Sequence, residues 1–208
     1  MYIYKVINIE NLSDEEFNNC LPLLSPDRRE RVDRLKSVLP KKLSVAGDLL
    51  ARRLAAELMG RAEPDRLLIK CDERGKPYIE GCAVNISISH SGSYALAAAS
   101  YTSVGADIER VRPLKKNIAA HFLSGSEMDY VSFDETQYEN RLIKLWTMKE
   151  AFGKMTGDGV FKNSRFGALF ANGELLTDYD TCSFSFPKAP EGYVICVCSK
   201  RAYIETNL

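Results

Sequence analysis

The chain has 208 residues, 45% of them hydrophobic and 27% charged, the make-up of a folded globular protein with room for a sizeable core. Lysine plus arginine and aspartate plus glutamate both number 28, so the formal net charge is zero, which argues against wholesale coating of nucleic acid and leaves room for a local basic patch. The opening residues lack a basic stretch leading into an apolar one, and no apolar run reaches membrane-spanning length, so neither a signal peptide nor a membrane segment is expected.

The predicted elements begin with a strand from Met1 that ends near Glu10. Ser13 with Glu16 forms a capping box for a short acidic helix, and Ser25-Pro26 starts a second one. Val45, Leu49, Leu50, Leu54 and Leu58 recur at helical spacing, which predicts a helix from Ser44 to Met59 closed by Gly60. Arg74-Gly75-Lys76-Pro77 is a turn. Asn85 to His90 alternates as a strand, with Ile86 and Ile88 on one face and Ser87 and Ser89 on the other. Gly92-Ser93 turns the chain into strands Tyr94–Ser100 and Val104–Glu109. A looser stretch, 111 to 126, leads to a long helix from Arg141 to Met155, stopped by Gly157-Asp158-Gly159. Phe184-Ser185-Phe186 and Tyr193–Ser199 read as a strand pair. The six cysteines show neither a C-x-x-C pair nor zinc spacing, and read as buried thiols of a reducing cytoplasm.

The halves echo each other. Leu54-x-x-Glu57-x-x-Gly60 and Ala151-x-x-Lys154-x-x-Gly157 share a spacing, and Tyr94–Ser100 resembles Tyr193–Ser199. An internal duplication predicts an α+β fold made of two similar halves, 1–103 and 104–208, with the active site in the cleft between them.

Four groups of residues carry candidate chemistry. Asp107 and Glu109 sit two apart on a strand and project from the same face, where a hard divalent cation such as Mg2+ would relieve their repulsion. The bland alternative is a solvated strand end paired with Arg110 or Arg112. Glu150 and Lys154 share a helix face, either as an ordinary surface ion pair or as a third metal carboxylate beside a phosphate-binding cation. Ser89-His90-Ser91 places polar groups at a strand-to-turn junction. Arg28, Arg31, Arg52, Arg53 and Lys76 could together serve a ligand with several phosphates.

Val104-Gly-Ala-Asp-Ile-Glu109 and Trp146-Thr-Met-Lys-Glu-Ala-Phe-Gly-Lys154 resemble the two signature motifs of the phosphopantetheinyl transferases. Gly75-Lys76-Pro77, Ser89-His90-Ser91 and the Asp27-Arg28/Arg31 segment extend the resemblance over roughly residues 25 to 160. The length resembles the larger, surfactin-synthetase-activating type, a monomeric pseudo-dimer. The resemblance implies Mg2+, with Mn2+ as an alternative, on Asp107, Glu109 and Glu150. It implies coenzyme A bound by Arg28, Arg31, Ser44, Gly75, Lys76, Pro77, Ser89, His90 and Lys154. Glu150 and Lys154 would be the catalytic pair, and an apo acyl or peptidyl carrier protein the acceptor, with no nucleic acid or membrane as partner. Segment 111–126 would help choose the carrier, and His121 stands there where the family usually has an arginine. A metal-dependent nucleotide hydrolase and a non-catalytic coenzyme A- or carrier-binding module are the rival readings.

Overall fold

A computed structural model describes residues 1–61, 63–114, 119, 121–159, 167–168, 170–171, 174–179 and 181–201. Strand β1 (Tyr2–Asn8) leads to helices α1 (Asp14–Cys20), α2 (Pro26–Asp33) and α3 (Val38–Leu58). Strands β2 (Ile69–Cys71), β3 (Pro77–Ile79), β4 (Asn85–Ser91), β5 (Tyr94–Ser100) and β6 (Val104–Arg110) follow. Next come α4 (Gly125–Ser132) and α5 (Tyr138–Thr156). The short strands β7 (Phe170–Ala171), β8 (Glu174–Leu175) and β9 (Asp178–Tyr179) precede β10 (Cys182–Ser185) and β11 (Tyr193–Lys200).

The fold is α+β, and its two larger sheets repeat one order. The first runs β1-β5-β4-β3-β2 and the second β6-β11-β10-β9. In each, an opening strand pairs antiparallel with the last strand of its half, Tyr2 opposite Ser100 and Val104 opposite Ser199. A long helix covers each sheet. The predicted Ser13/Glu16 capping box is present. α3 starts six residues before the expected Ser44, because Pro40 falls in the first turn, where no intrahelical N–H is needed. α5 also starts earlier, at Tyr138, and ends on Gly157, whose φ of 81° is the left-handed cap expected of glycine. The expected strand Phe184–Phe186 instead occupies Cys182–Ser185.

The alanine-rich β5 is explained by its two neighbours. Ala97 and Ala99 pack with Leu50, Leu54 and Ile86 in the core beneath α3, while Leu96 and Ala98 pack with Val104, Ile108 and Ile195 of the second sheet. A strand buried on both faces has room only for small side chains. A third core joins α5 (Leu142, Leu145, Met148, Ala151) to Phe184, Cys196 and Cys198. All six cysteines are free thiols; Cys182, Cys196 and Cys198 are buried as expected, whereas Cys71 is exposed because it ends an edge strand. No helix among the described residues is long and apolar enough to cross a membrane.

Candidate active site

The site begins where the sheets meet. One edge of β6 pairs with β11; its other edge faces β4 and would leave N–H groups without partners. The alternating serines of β4 fill that role. Ser87 Oγ accepts from the Ala106 N–H at 2.9 Å, Ser91 Oγ from the Arg110 N–H at 3.1 Å, and Ser89 Oγ lies 3.5 Å from the Ile108 nitrogen. This side-chain ladder fixes the register of β4 on β6, and with it the positions of Asp107 and Glu109.

Helix α5 comes exceptionally near to β6, and Gly105 is the reason. A Cβ there would lie 2.0 Å from the Ala151 carbonyl oxygen and 2.4 Å from the Met155 nitrogen. The close approach lets Lys154 reach across to the strand. Its Nζ donates to Asp107 Oδ1 at 2.6 Å and to Ser89 Oγ at 2.8 Å, while Ser89 Oγ itself donates to Asp107 Oδ1 at 2.6 Å. Lys154 therefore pairs across the cleft rather than along the helix with Glu150. The other Asp107 oxygen, Oδ2, is buried without a hydrogen-bond partner. Glu109 accepts from Trp146 Nε1 at 3.1 Å and from Ser91 Oγ at 3.0 Å. Trp146 in turn packs edge-to-face on Phe122, 4.9 Å between ring centroids, so it anchors α5 and orients a carboxylate at once.

The electrostatics follow from crowding. Burial, and then the Asp107 charge, pushes the Glu109 carboxyl above its ordinary pKa against the pull of its Trp146 and Ser91 hydrogen bonds. Burial also raises Glu150; Lys154 opposes this, and Asp107 and Glu109 reinforce it. Three acids thus feel one another in one place, and an orphaned buried oxygen lies among them, a setting that suits an oxygen-loving divalent cation. As the side chains stand, no ready-made group of three metal ligands occurs among the described residues. Lys154 holds Asp107, while Trp146 and Ser91 hold Glu109.

These acids line a cavity of about 480 Å³ together with every other residue that the family resemblance assigns to the site. From α2 and α3 come Arg28, Arg31 and Ser44; from the turn before β3, Gly75 and Lys76; from the start of β3, Pro77; from β4, Ser89 and His90; from α5, Glu150 and Lys154. Arg28 is buried, with Nε on Asp48 Oδ2 at 2.8 Å and Nη2 3.5 Å from Ser44 Oγ. Lys76 Nζ donates to the Met155 carbonyl near the end of α5, tying that turn to the helix, and burial lowers its pKa. His90 is partly open to solvent, yet the packing around its ring, and then the Lys154 charge, push its pKa down.

One expectation fails here. Arg52 and Arg53 do not join the phosphate-type cluster: Arg52 is buried beside Asp48, Arg53 is exposed, and both line a different cavity. His121 is exposed, and residues 115–118 and 120 of the expected carrier-selecting segment lie outside the described residues. The sequence reading also missed Gly105, the supporting roles of Ser87 and Ser91, and Asp48. It missed Lys149 as well, whose Nζ forms a buried ion pair with Glu127 at 2.8 Å. Glu127 also accepts the Ala168 and Ser124 N–H groups, each at 2.7 Å, so it ties α4 and residue 168 to the helix that carries Glu150. Burial works against its charge, but Lys149 and these donors hold its pKa below the ordinary carboxylate value. The Ser124-x-x-Glu127 spacing could have signalled a cap, though not the ion pair.

Comparison with known proteins agrees over nearly the whole chain. Residues 103–198 match the 4′-phosphopantetheinyl transferase superfamily, and residues 11–102 match the family described as 4′-phosphopantetheinyl transferase, N-terminal. A 4′-phosphopantetheinyl transferase of Bacillus subtilis is 30% identical over 207 residues, covering 96% of this chain and 92% of the relative. The 4′-phosphopantetheinyl transferase Sfp of Bacillus subtilis (strain 168) is 28% identical with the same coverage. The L-aminoadipate-semialdehyde dehydrogenase-phosphopantetheinyl transferase of Xenopus laevis is 27% identical over 164 residues, 71% of this chain and 54% of the relative.

Proposed function

Because the chain belongs to the 4′-phosphopantetheinyl transferase family and is an enzyme of that activity, we propose that it transfers the arm of coenzyme A to a serine of an apo acyl or peptidyl carrier protein. Adenosine 3′,5′-bisphosphate is the leaving product, and Mg2+ (or Mn2+) is the ion. The observation that carries this reading is the meeting of Lys154 with Asp107, beside Glu109 and Glu150, in a cavity also lined by Arg28, Arg31 and His90. Acids for a cation and bases for phosphates stand in one cleft of a size ordinary for small ligands.

The serine oxygen attacks the β-phosphorus, the bond from that phosphorus to the bridging oxygen breaks, and the bisphosphate leaves with the electron pair. Such transfers depend on positioning and charge stabilisation. Asp107, Glu109 and Glu150 would hold the divalent cation, which when bound polarises the pyrophosphate oxygens. Lys154 is poised on Asp107 and Ser89, from which its ammonium can turn to the phosphates. Glu150 would also be the carboxylate that accepts the serine proton. Arg28, Arg31, Ser44 and His90 would take the 3′-phosphate side, and Gly75, Lys76 and Pro77 the adenine side. The chain works as a monomer in the cytoplasm, with halves 1–103 and 104–208. The repeated sheet order supports the division, and the six free thiols support the compartment.

The test is transfer of a fluorescent coenzyme A analogue to an apo carrier protein with Mg2+. Asp107→Ala should abolish transfer while circular dichroism stays native, and chelation should do the same to the parent protein. Full turnover in Asp107→Ala would overturn the assignment.

A further inference from the structure

A second cavity, of about 600 Å³, opens between β1, α1 and α3. Ile7, Ile9, Leu12, Val45, Leu49 and Leu50 form its aliphatic walls, and no aromatic side chain lines it among the described residues. Arg52 lines it too, and is only 1% exposed. Arg52 Nη1 lies 3.5 Å and 3.4 Å from the carbonyl oxygens of Asp65 and Leu67. Its Nε is 2.9 Å from Asp48 Oδ1, an ion pair set off the N–H direction, and its Nη2 has no partner. A buried guanidinium nitrogen without an acceptor is costly unless a ligand supplies one.

Charge counting points the same way. Asp48 is shared: Oδ2 takes Arg28 and Oδ1 takes Arg52, and all three residues are buried. One carboxylate therefore serves two guanidinium groups, leaving one surplus positive charge. At the cavity rim the exposed Lys5 and Arg53 are matched in number by the exposed Glu16 and Asp65, with Glu16 committed to the Ser13 cap, so the surplus is that of the buried trio. We propose that this cavity binds a medium-chain fatty carboxylate, its head on Arg52 and its chain along the aliphatic walls. A single negative charge matches the surplus, a flexible aliphatic chain matches the walls, and the volume is ordinary for a small-ligand site.

The site has a consequence for the cleft. α3 separates the two cavities, giving Ser44 to one and Val45, Leu49 and Arg52 to the other, and the Arg28–Asp48–Arg52 chain connects them. A carboxylate on Arg52 consumes the surplus charge that Arg28 would offer a phosphate. Occupancy of either site therefore weakens the other, reciprocally. This coupling rests on the reading of the cleft as a coenzyme A site; the fatty-carboxylate site does not.

Decanoate is the probe, titrated calorimetrically into the full chain without coenzyme A. Saturable binding is expected, with decanol about tenfold or more weaker because it lacks the charge. Arg52→Met should lose at least about tenfold as well. Ala46→Leu fills the cavity while leaving the three charged residues in place, and should lose binding with native circular dichroism. No saturation at millimolar decanoate, equal affinity for decanol, or unchanged binding in a folded Ala46→Leu would overturn the site. Saturating decanoate should weaken coenzyme A binding about threefold, and an unchanged affinity would overturn the coupling. Absence of any coenzyme A binding would instead sink the reading of the cleft and the coupling with it, while the decanoate titration would still decide the fatty-carboxylate site.

Discussion

Gly105→Ala is the sharpest perturbation of the site that touches none of its ionisable groups. The added methyl would meet the Ala151 carbonyl oxygen at 2.0 Å, whereas ordinary contact begins at 3.4 Å, so α5 must retreat from β6 by at least about 1.4 Å. The obstacle is helix backbone, which cannot step aside by changing rotamer. Overpacking of this kind costs about 3 kcal/mol. The loss of chain entropy in the unfolded state returns about 0.4–1 kcal/mol. The net loss of about 2 kcal/mol predicts a Tm lower by roughly 4–8 °C for a chain of this size. Activity should suffer more than stability, because Glu150 and Lys154 ride on the displaced helix. Lys154 Nζ now sits 2.6 Å from Asp107, and a shift of that size takes it out of hydrogen-bond reach. Misplacement by an ångström can cost about 100-fold in rate. Thermal unfolding by circular dichroism and carrier labelling measure the two effects on one preparation. A variant with parental Tm and labelling within threefold of the parent would refute the claim that Gly105 sets the helix-to-strand distance.

Arg28→Ala should raise KM for coenzyme A about tenfold but leave that for the 3′-dephosphorylated form nearly unchanged, since Asp48 keeps Arg52 as partner; equal effects on both would show that Arg28 does not read the 3′-phosphate. Glu127→Ala removes one partner of a buried pair and should destabilise by about 3–5 kcal/mol, read as a lower urea midpoint, and a midpoint equal to the parent's would contradict the tie between α4 and α5. Ser87→Ala leaves the Ala106 N–H without its acceptor and should cost about 1–3 kcal/mol; unchanged stability would mean that the serine ladder does not hold β4 on β6.

What could be read from the sequence was what depends on spacing within one element. Asp107 and Glu109 share a strand face, and Glu150 and Lys154 a helix face, because strand and helix periods fix direction locally. The same rule showed Ser87 and Ser89 facing away from Ile86 and Ile88, and the structure bears this out, with the isoleucines toward α3 and the serines toward β6. It could not show what the serines meet, since the N–H groups they satisfy belong to another sheet. Arg52 was misplaced for a related reason. Grouping it with Arg28 by charge ignored that a buried carboxylate, Asp48, lies one helical turn before it and draws it inward, while its neighbour Arg53 points to solvent. Gly105 was hardest to read, because its need for a missing side chain comes from a carbonyl on a distant helix. The catalytic side chains are thus written in local periodicity, but the distance between them is set by contacts between elements. A sequence with a larger residue at position 105 would keep every ionisable group of both motifs and still separate Lys154 from Asp107.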